Sequence, residues 1–75
     1  MLEDTKKHPK LRVIRLQEVL DLLSISRASH FSKLDNKSTS YDPTYPKPVK
    51  LGARSVGYVE HEVINWIEER MEERS

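Results

Sequence analysis

At 75 residues, with no cysteine and a net charge of +1, the chain has room for one small domain. Its core must come from Leu, Val, Ile and a few aromatics, because neither disulfides nor a thiolate metal site can reinforce it. No apolar run approaches the ~20 residues needed to span a bilayer, and Met1 to Lys10 lacks the apolar core of a secretory signal, so a cytoplasmic protein with no membrane association is expected.

The charge is unevenly divided. Residues 1–59 hold eleven Lys or Arg against six acids, whereas residues 60–75 hold two against six. Such asymmetry suits a domain that meets a polyanion with one face and keeps an acidic element on the far side; it equally suits a solvated acidic helix.

In chain order, Met1 to Pro9 has few apolar residues and ends in a proline, so residues 1–10 are read as a mobile tail and residues 11–75 as the domain. Leu11 to Arg15 is β-branched at Val13 and Ile14 and predicts a short strand, added to the edge of a later hairpin. Leu16, Val19, Leu20 and Leu23 then fall at i, i+3, i+4 and i+7, one buried stripe of an amphipathic helix. After the break at Ser24-Ile25-Ser26, Ser26 is a suitable N-cap for a second helix from Arg27 to Leu34 or Asp35. The spacing predicts Ala28, Phe31 and Leu34 on its inner face, with Arg27, Ser29, His30 and Lys33 outside. Two short helices joined by a tight turn, the second basic and polar outside, fit a helix-turn-helix.

Asn36 to Pro46, rich in Ser, Thr and Pro, predicts a loop in which Tyr41 and Tyr45 either pack on the core edge or offer hydroxyls to a phosphate. Lys47 to Glu60 predicts a hairpin. Val49 and Leu51 alternate with Lys50, Val56 and Tyr58 alternate with Gly57, and together they suggest one apolar face. Gly52 would supply a positive backbone dihedral in the connection, and Lys47, Lys50 and Arg54 would occupy the polar side and tip. Glu60 to Glu73 predicts the third helix, with Val63, Trp66, Ile67, Arg70 and Met71 on one stripe and Glu60 and Glu62 suiting its N-terminal dipole. Trp66 is expected to close the domain against the first helix and the hairpin.

Several blocks, taken in order, carry a resemblance: Arg15-Leu16-Gln17-Glu18-Val19, Ser26-Arg27-Ala28-Ser29-His30-Phe31, Tyr45-Pro46-Lys47-Pro48-Val49-Lys50-Leu51-Gly52, Arg54-Ser55-Val56-Gly57-Tyr58 and Glu62-Val63-Ile64-Asn65-Trp66-Ile67. Over roughly residues 11–70 the chain resembles the AlpA family of prophage regulatory proteins, itself similar to phage excisionases and to the DNA-binding heads of MerR-type regulators. The resemblance implies an α+β fold, a small winged helix-turn-helix with three helices and a short β-hairpin wing. It also implies a DNA-binding transcriptional regulator of a prophage or integrated element, one that promotes excision by raising integrase expression or acts directly at the attachment site as an excision factor. The chain departs from the family where the link from Asn36 to Thr44 is lengthened, where His30 replaces a usually apolar residue, and where Ser32 stands in place of a frequent Arg or Lys.

Groove geometry then assigns roles. Ser26, Arg27, Ser29, His30 and Lys33 would meet base edges and flanking phosphates in the major groove, and Lys47, Lys50 and Arg54 on the wing would add phosphate or minor-groove contacts. Arg27 is the best candidate for a base contact, since its guanidinium can bond a guanine edge through two donors, and from the first turn it can equally hold a phosphate. His30 is open between a DNA contact and a packed histidine. Double-stranded DNA is the expected partner, with further copies of the chain bound cooperatively, or an integrase, as additional ones. The alternative class is a protein-binding adaptor that docks through the acidic third helix. Catalysis has little support. His61-Glu62-Val63-Ile64-Asn65 begins like a zinc-protease helix but carries Asn65 where a second ligand belongs, and His8, His30 and His61 are dispersed, so no enzyme, cofactor or metal is expected.

Overall fold

The computed structural model describes residues 11–74, and the tail expected over residues 1–10 lies outside the described residues. The elements run β1 (Val13–Ile14), α1 (Leu16–Leu23), α2 (Arg27–Leu34), β2 (Val49–Lys50), β3 (Val56–Val59) and α3 (Glu60–Glu73). The strands form one antiparallel sheet in the order β1-β3-β2. The brief first strand therefore joins the edge of the hairpin, and with the three helices it completes an α+β, winged helix-turn-helix domain. No helix among the described residues is long and apolar enough to cross a membrane.

The helix boundaries have local causes. At the start of α1 the Glu18 carboxylate accepts from the Arg15 N–H at 2.9 Å, satisfying a donor that the helix leaves unpaired. The predicted stripe is the buried one: Val19 joins Ile14, Tyr58 and Val63 in the core cluster, Leu16 and Leu23 pack against it, and Leu20 is buried as well. The helix ends at Ser24, held at φ 55° in the left-handed region so that its N–H donates to the Leu20 carbonyl. Ser26 then caps α2, its hydroxyl oxygen accepting from the Ser29 N–H at 3.1 Å.

The phase of α2 differs from the apolar spacing. His30, expected outside, is its one buried residue and fully enclosed, whereas Ala28 and Phe31, expected inside, are exposed. The reason is hydrogen-bond satisfaction: the Tyr45 hydroxyl lies 2.6 Å from His30 Nδ1 and the Tyr58 hydroxyl 2.9 Å from Nε2. Both ring nitrogens are paired, so the imidazole is buried without the penalty of an orphaned polar atom. Both phenols stand edge-on to the ring, at centroid separations of 5.3 and 5.2 Å. Burial, and secondarily the Arg27 guanidinium, push the His30 pKa below its ordinary 6.5 and favour the neutral ring.

The sheet register also separates residues that alternation placed together. Val49 pairs with Gly57 and Lys50 with Val56, so Val49 and Leu51 share a face with Gly57, while Lys50, Val56 and Tyr58 share the other with Ile14. Only Ile14 and Tyr58 of that second set reach the core; Val49, Leu51 and Val56 are all exposed. Gly52 does not supply a positive dihedral, since no described glycine has one. Gly57 matters for space instead: a Cβ there would run into Val13 Cγ1 and meet Leu51 Cδ1 at 3.1 Å.

Three outcomes are expected. Gly57→Ala lowers stability by about 1–2 kcal/mol through overpacking against the stiff Val13 side chain, measurable by urea denaturation. Ser24→Gly raises it by roughly 0.5–1 kcal/mol by relieving left-handed strain, net of the extra chain entropy of glycine. Because the folded-state pKa of His30 is depressed, its stabilisation is fully present above the unfolded value near 6.5 and is lost as pH falls through the folded value. Tm followed by circular dichroism should accordingly hold level above about pH 7 and fall on acidification, with that component of the slope missing in His30→Phe.

Candidate nucleic-acid interface

The first half of α2 supplies the most accessible part of the expected binding set. Ser26, Arg27, Ala28 and Ser29 are all exposed in succession, and the cap between Ser26 and Ser29 fixes the backbone that carries Arg27. His30 does not belong to this surface, because its ring is consumed by the interior hydrogen bonds. Lys33 is half-buried, with its ammonium 5.6 Å from the centre of the Trp66 ring. Lys47 donates to the Pro43 carbonyl at 3.0 Å. These two lysines thus lie with the loop and α3, apart from Arg27.

The wing holds Lys50 and Arg54, both exposed. Its loop is closed by the Ser55 carbonyl, which accepts from the Leu51 and Gly52 N–H groups at 2.7 and 3.2 Å. Lys50 lies on the same sheet face as Tyr58, whose hydroxyl meets His30, so the register places this cation on the side of the sheet that carries α2. Arg15 fixes the base of the hairpin: one Nη1 donates to Ser55 Oγ at 2.9 Å and to the Val56 carbonyl at 3.0 Å. Sequence reasoning missed this clamp. A basic residue at the start of α1 was its only local signal, and its partners lie forty residues further on.

Behind these surfaces the long connection is built from consecutive turns. Ser38, Tyr41 and Tyr45 N–H groups donate to the carbonyls of Asp35, Ser38 and Asp42. In each turn the first side chain also accepts from the backbone two residues on, at 2.9 Å for Asp35, 3.1 Å for Ser38 and 2.9 Å for Asp42. The Asp42 N–H donates to the Lys33 carbonyl at 3.0 Å, which returns the loop to the end of α2. Tyr45 is thereby delivered to His30 and Tyr41 is left exposed. Burial, and secondarily neighbouring Tyr58, push the Tyr45 phenol up to about 12, so it stays protonated as a hydrogen-bonding hydroxyl.

Asp42 joins the loop to α3. Its carboxylate accepts from Thr44 Oγ1 at 2.6 Å, from Trp66 Nε1 at 3.1 Å and from Arg70 Nη1 at 3.4 Å. Burial raises the Asp42 carboxyl, but the hydrogen bonds from Thr44 and Trp66 and the charge of Arg70 outweigh it and leave the group below the usual carboxylate range. Trp66 therefore closes the domain over the loop, edge-on to Tyr45 at 5.1 Å and stacked with Arg70, rather than against α1 and the hairpin. Its indole N–H needs an acceptor, and Asp42 is the one in reach. Beside it, Thr44, Pro46, Glu62, Asn65, Trp66 and Glu69 line a shallow open recess. The exposed carboxylates at its rim disfavour phosphate, which leaves the α2 and wing side as the surface suited to a polyanion.

Residues 12–71 match the family described as Prophage CP4-57 regulatory protein (AlpA). The chain is 38% identical over 60 residues to the DNA-binding transcriptional activator AlpA of Escherichia coli (strain K12), a match covering 80% of this chain and 86% of that protein. No solved structure matches. With the matched segment running from β1 through nearly all of α3, the chain belongs to the AlpA family of prophage regulatory proteins.

Proposed function

We propose that this chain is a sequence-specific DNA-binding transcriptional regulator of a prophage or integrated element, working without catalysis or cofactor on cytoplasmic DNA. The observation that carries the reading is the helix-turn-helix whose capped second helix leaves Arg27 and Ser29 exposed, in a chain 38% identical to a DNA-binding transcriptional activator. An α-helix fits the major groove, where each base pair offers a distinct pattern of donors and acceptors. Arg27 would bond a guanine edge, Ser26 and Ser29 would reach bases or phosphates, and Lys50 and Arg54 on the wing would hold the backbone. Lys33 and Lys47, engaged by Trp66 and Pro43 on the loop side, stay outside this contact set. A domain of this size covers a modest interface, so tight occupancy calls for several copies along the DNA or for contact with an integrase.

The test is fluorescence anisotropy at several salt concentrations, comparing integrase-promoter and attachment-site duplexes of the source genome with a random duplex. Preference for the promoter supports regulation of integrase expression, preference for the attachment site supports direct action in excision, and no binding at low salt removes the DNA reading. Arg27→Ala should weaken specific binding by about 1–3 kcal/mol and spare random DNA. Lys50→Ala should weaken all sequences alike and reduce the salt slope by about one unit.

A further inference from the structure

Phe31 sits in the middle of α2 and is 48% exposed. It is not a loose side chain: the ring stands edge-on to the His30 imidazole at 4.8 Å and 85°, and that imidazole is itself fixed by two tyrosine hydroxyls. Exposed Ala28 lies three residues earlier and exposed Arg27 four residues earlier, the spacings that make neighbours on a helix surface. An apolar spot is thus continuous with the arginine assigned to a base edge, on a helix whose one other exposed residue is Ser29.

The major groove offers one apolar group, the 5-methyl of thymine, and alanine and phenylalanine are among the side chains that meet it. We propose that Phe31, supported by Ala28, reads the 5-methyl group of thymine and so determines sequence preference beside Arg27. The burial of His30 is what makes this possible, because turning the imidazole inward turns Phe31 outward. The inference rests on the DNA-binding function proposed above and adds the chemical group recognised.

Deoxyuridine differs from thymidine by that methyl alone and pairs identically, so it isolates the contact. A duplex selected by the full chain from a random library would be resynthesised with deoxyuridine at each thymine in turn. Affinity would be measured for the wild type, Phe31→Ala and Phe31→Leu at fixed salt, with circular dichroism confirming that each is folded. The expected result is a loss of about fourfold for the wild type at one or two thymines, the effect of exposing one methylene-sized group. Phe31→Ala should bind the thymine duplex more weakly yet be indifferent to deoxyuridine there, while Phe31→Leu, still apolar, should keep part of the discrimination. Wild-type binding insensitive to every deoxyuridine would overturn the proposal and direct Phe31 toward a protein partner. Sensitivity retained in Phe31→Ala would overturn the assignment to this residue. Failure to select any duplex would overturn the DNA-binding reading itself, and the proposal with it.

Discussion

The placement of α2 depends on the two hydrogen bonds that His30 makes with Tyr45 and Tyr58. This helix buries no other residue, so its orientation relative to the wing and to the long loop is set by a polar centre rather than by an apolar stripe. Hydrogen bonds are directional where apolar packing is not, and a neutral imidazole offers one donor and one acceptor, so the two phenols must play opposite roles. Removing the imidazole would strand two buried hydroxyls, each costing about 1–3 kcal/mol. For a domain whose apolar cluster, among the described residues, is Ile14, Val19, Tyr58 and Val63, with Leu16 and Leu23 alongside, that is a large share of the total.

Much of the architecture was legible in the sequence because it follows local rules. The stripe of α1, the Ser26 cap, the extent of α2 and α3, and the edge position of β1 can each be read from spacing, capping chemistry or strand length. What failed were questions of facing. Ala28, Phe31 and Leu34 are spaced three apart and look like an inner stripe, because amphipathic reasoning counts histidine as polar and cannot see that Tyr45 and Tyr58 converge on it. Val49, Leu51, Val56 and Tyr58 look like one face because alternation within each strand says nothing about the register between strands. Trp66 is large and apolar, so it is readily assigned to the core against the first helix and the hairpin, yet its indole N–H finds its acceptor in Asp42, a loop residue far away in sequence.

The candidate interface was legible to a similar depth. Arg27, Ser29, Lys50 and Arg54 are exposed as their types and positions suggest, and the register gives Lys50 a common side with α2. The partner of Lys33, and the clamp that Arg15 places on the wing, are tertiary contacts with no local signature, whereas Lys47 bonds a carbonyl only four residues earlier. In electrostatic terms the domain is partitioned: Arg70 and Trp66 share the Asp42 carboxylate at the loop side, Arg12 pairs with Glu60 at 2.8 Å where α3 begins, and Arg27 of α2 with Lys50 and Arg54 of the wing are left toward solvent.

The connection between α2 and the wing also bears on how such a domain can change in length. Each of its turns closes its own backbone hydrogen bond and supplies its own side-chain acceptor, so the segment behaves as a chain of self-contained modules rather than as slack. A whole turn can be gained or lost between the first and last of these modules without leaving buried backbone groups unpaired. A single-residue insertion inside the final one would instead pull Tyr45 out of phase with the helix it anchors. Length in this segment is therefore quantised, and the tyrosine at its end is the fixed point from which the quanta are counted.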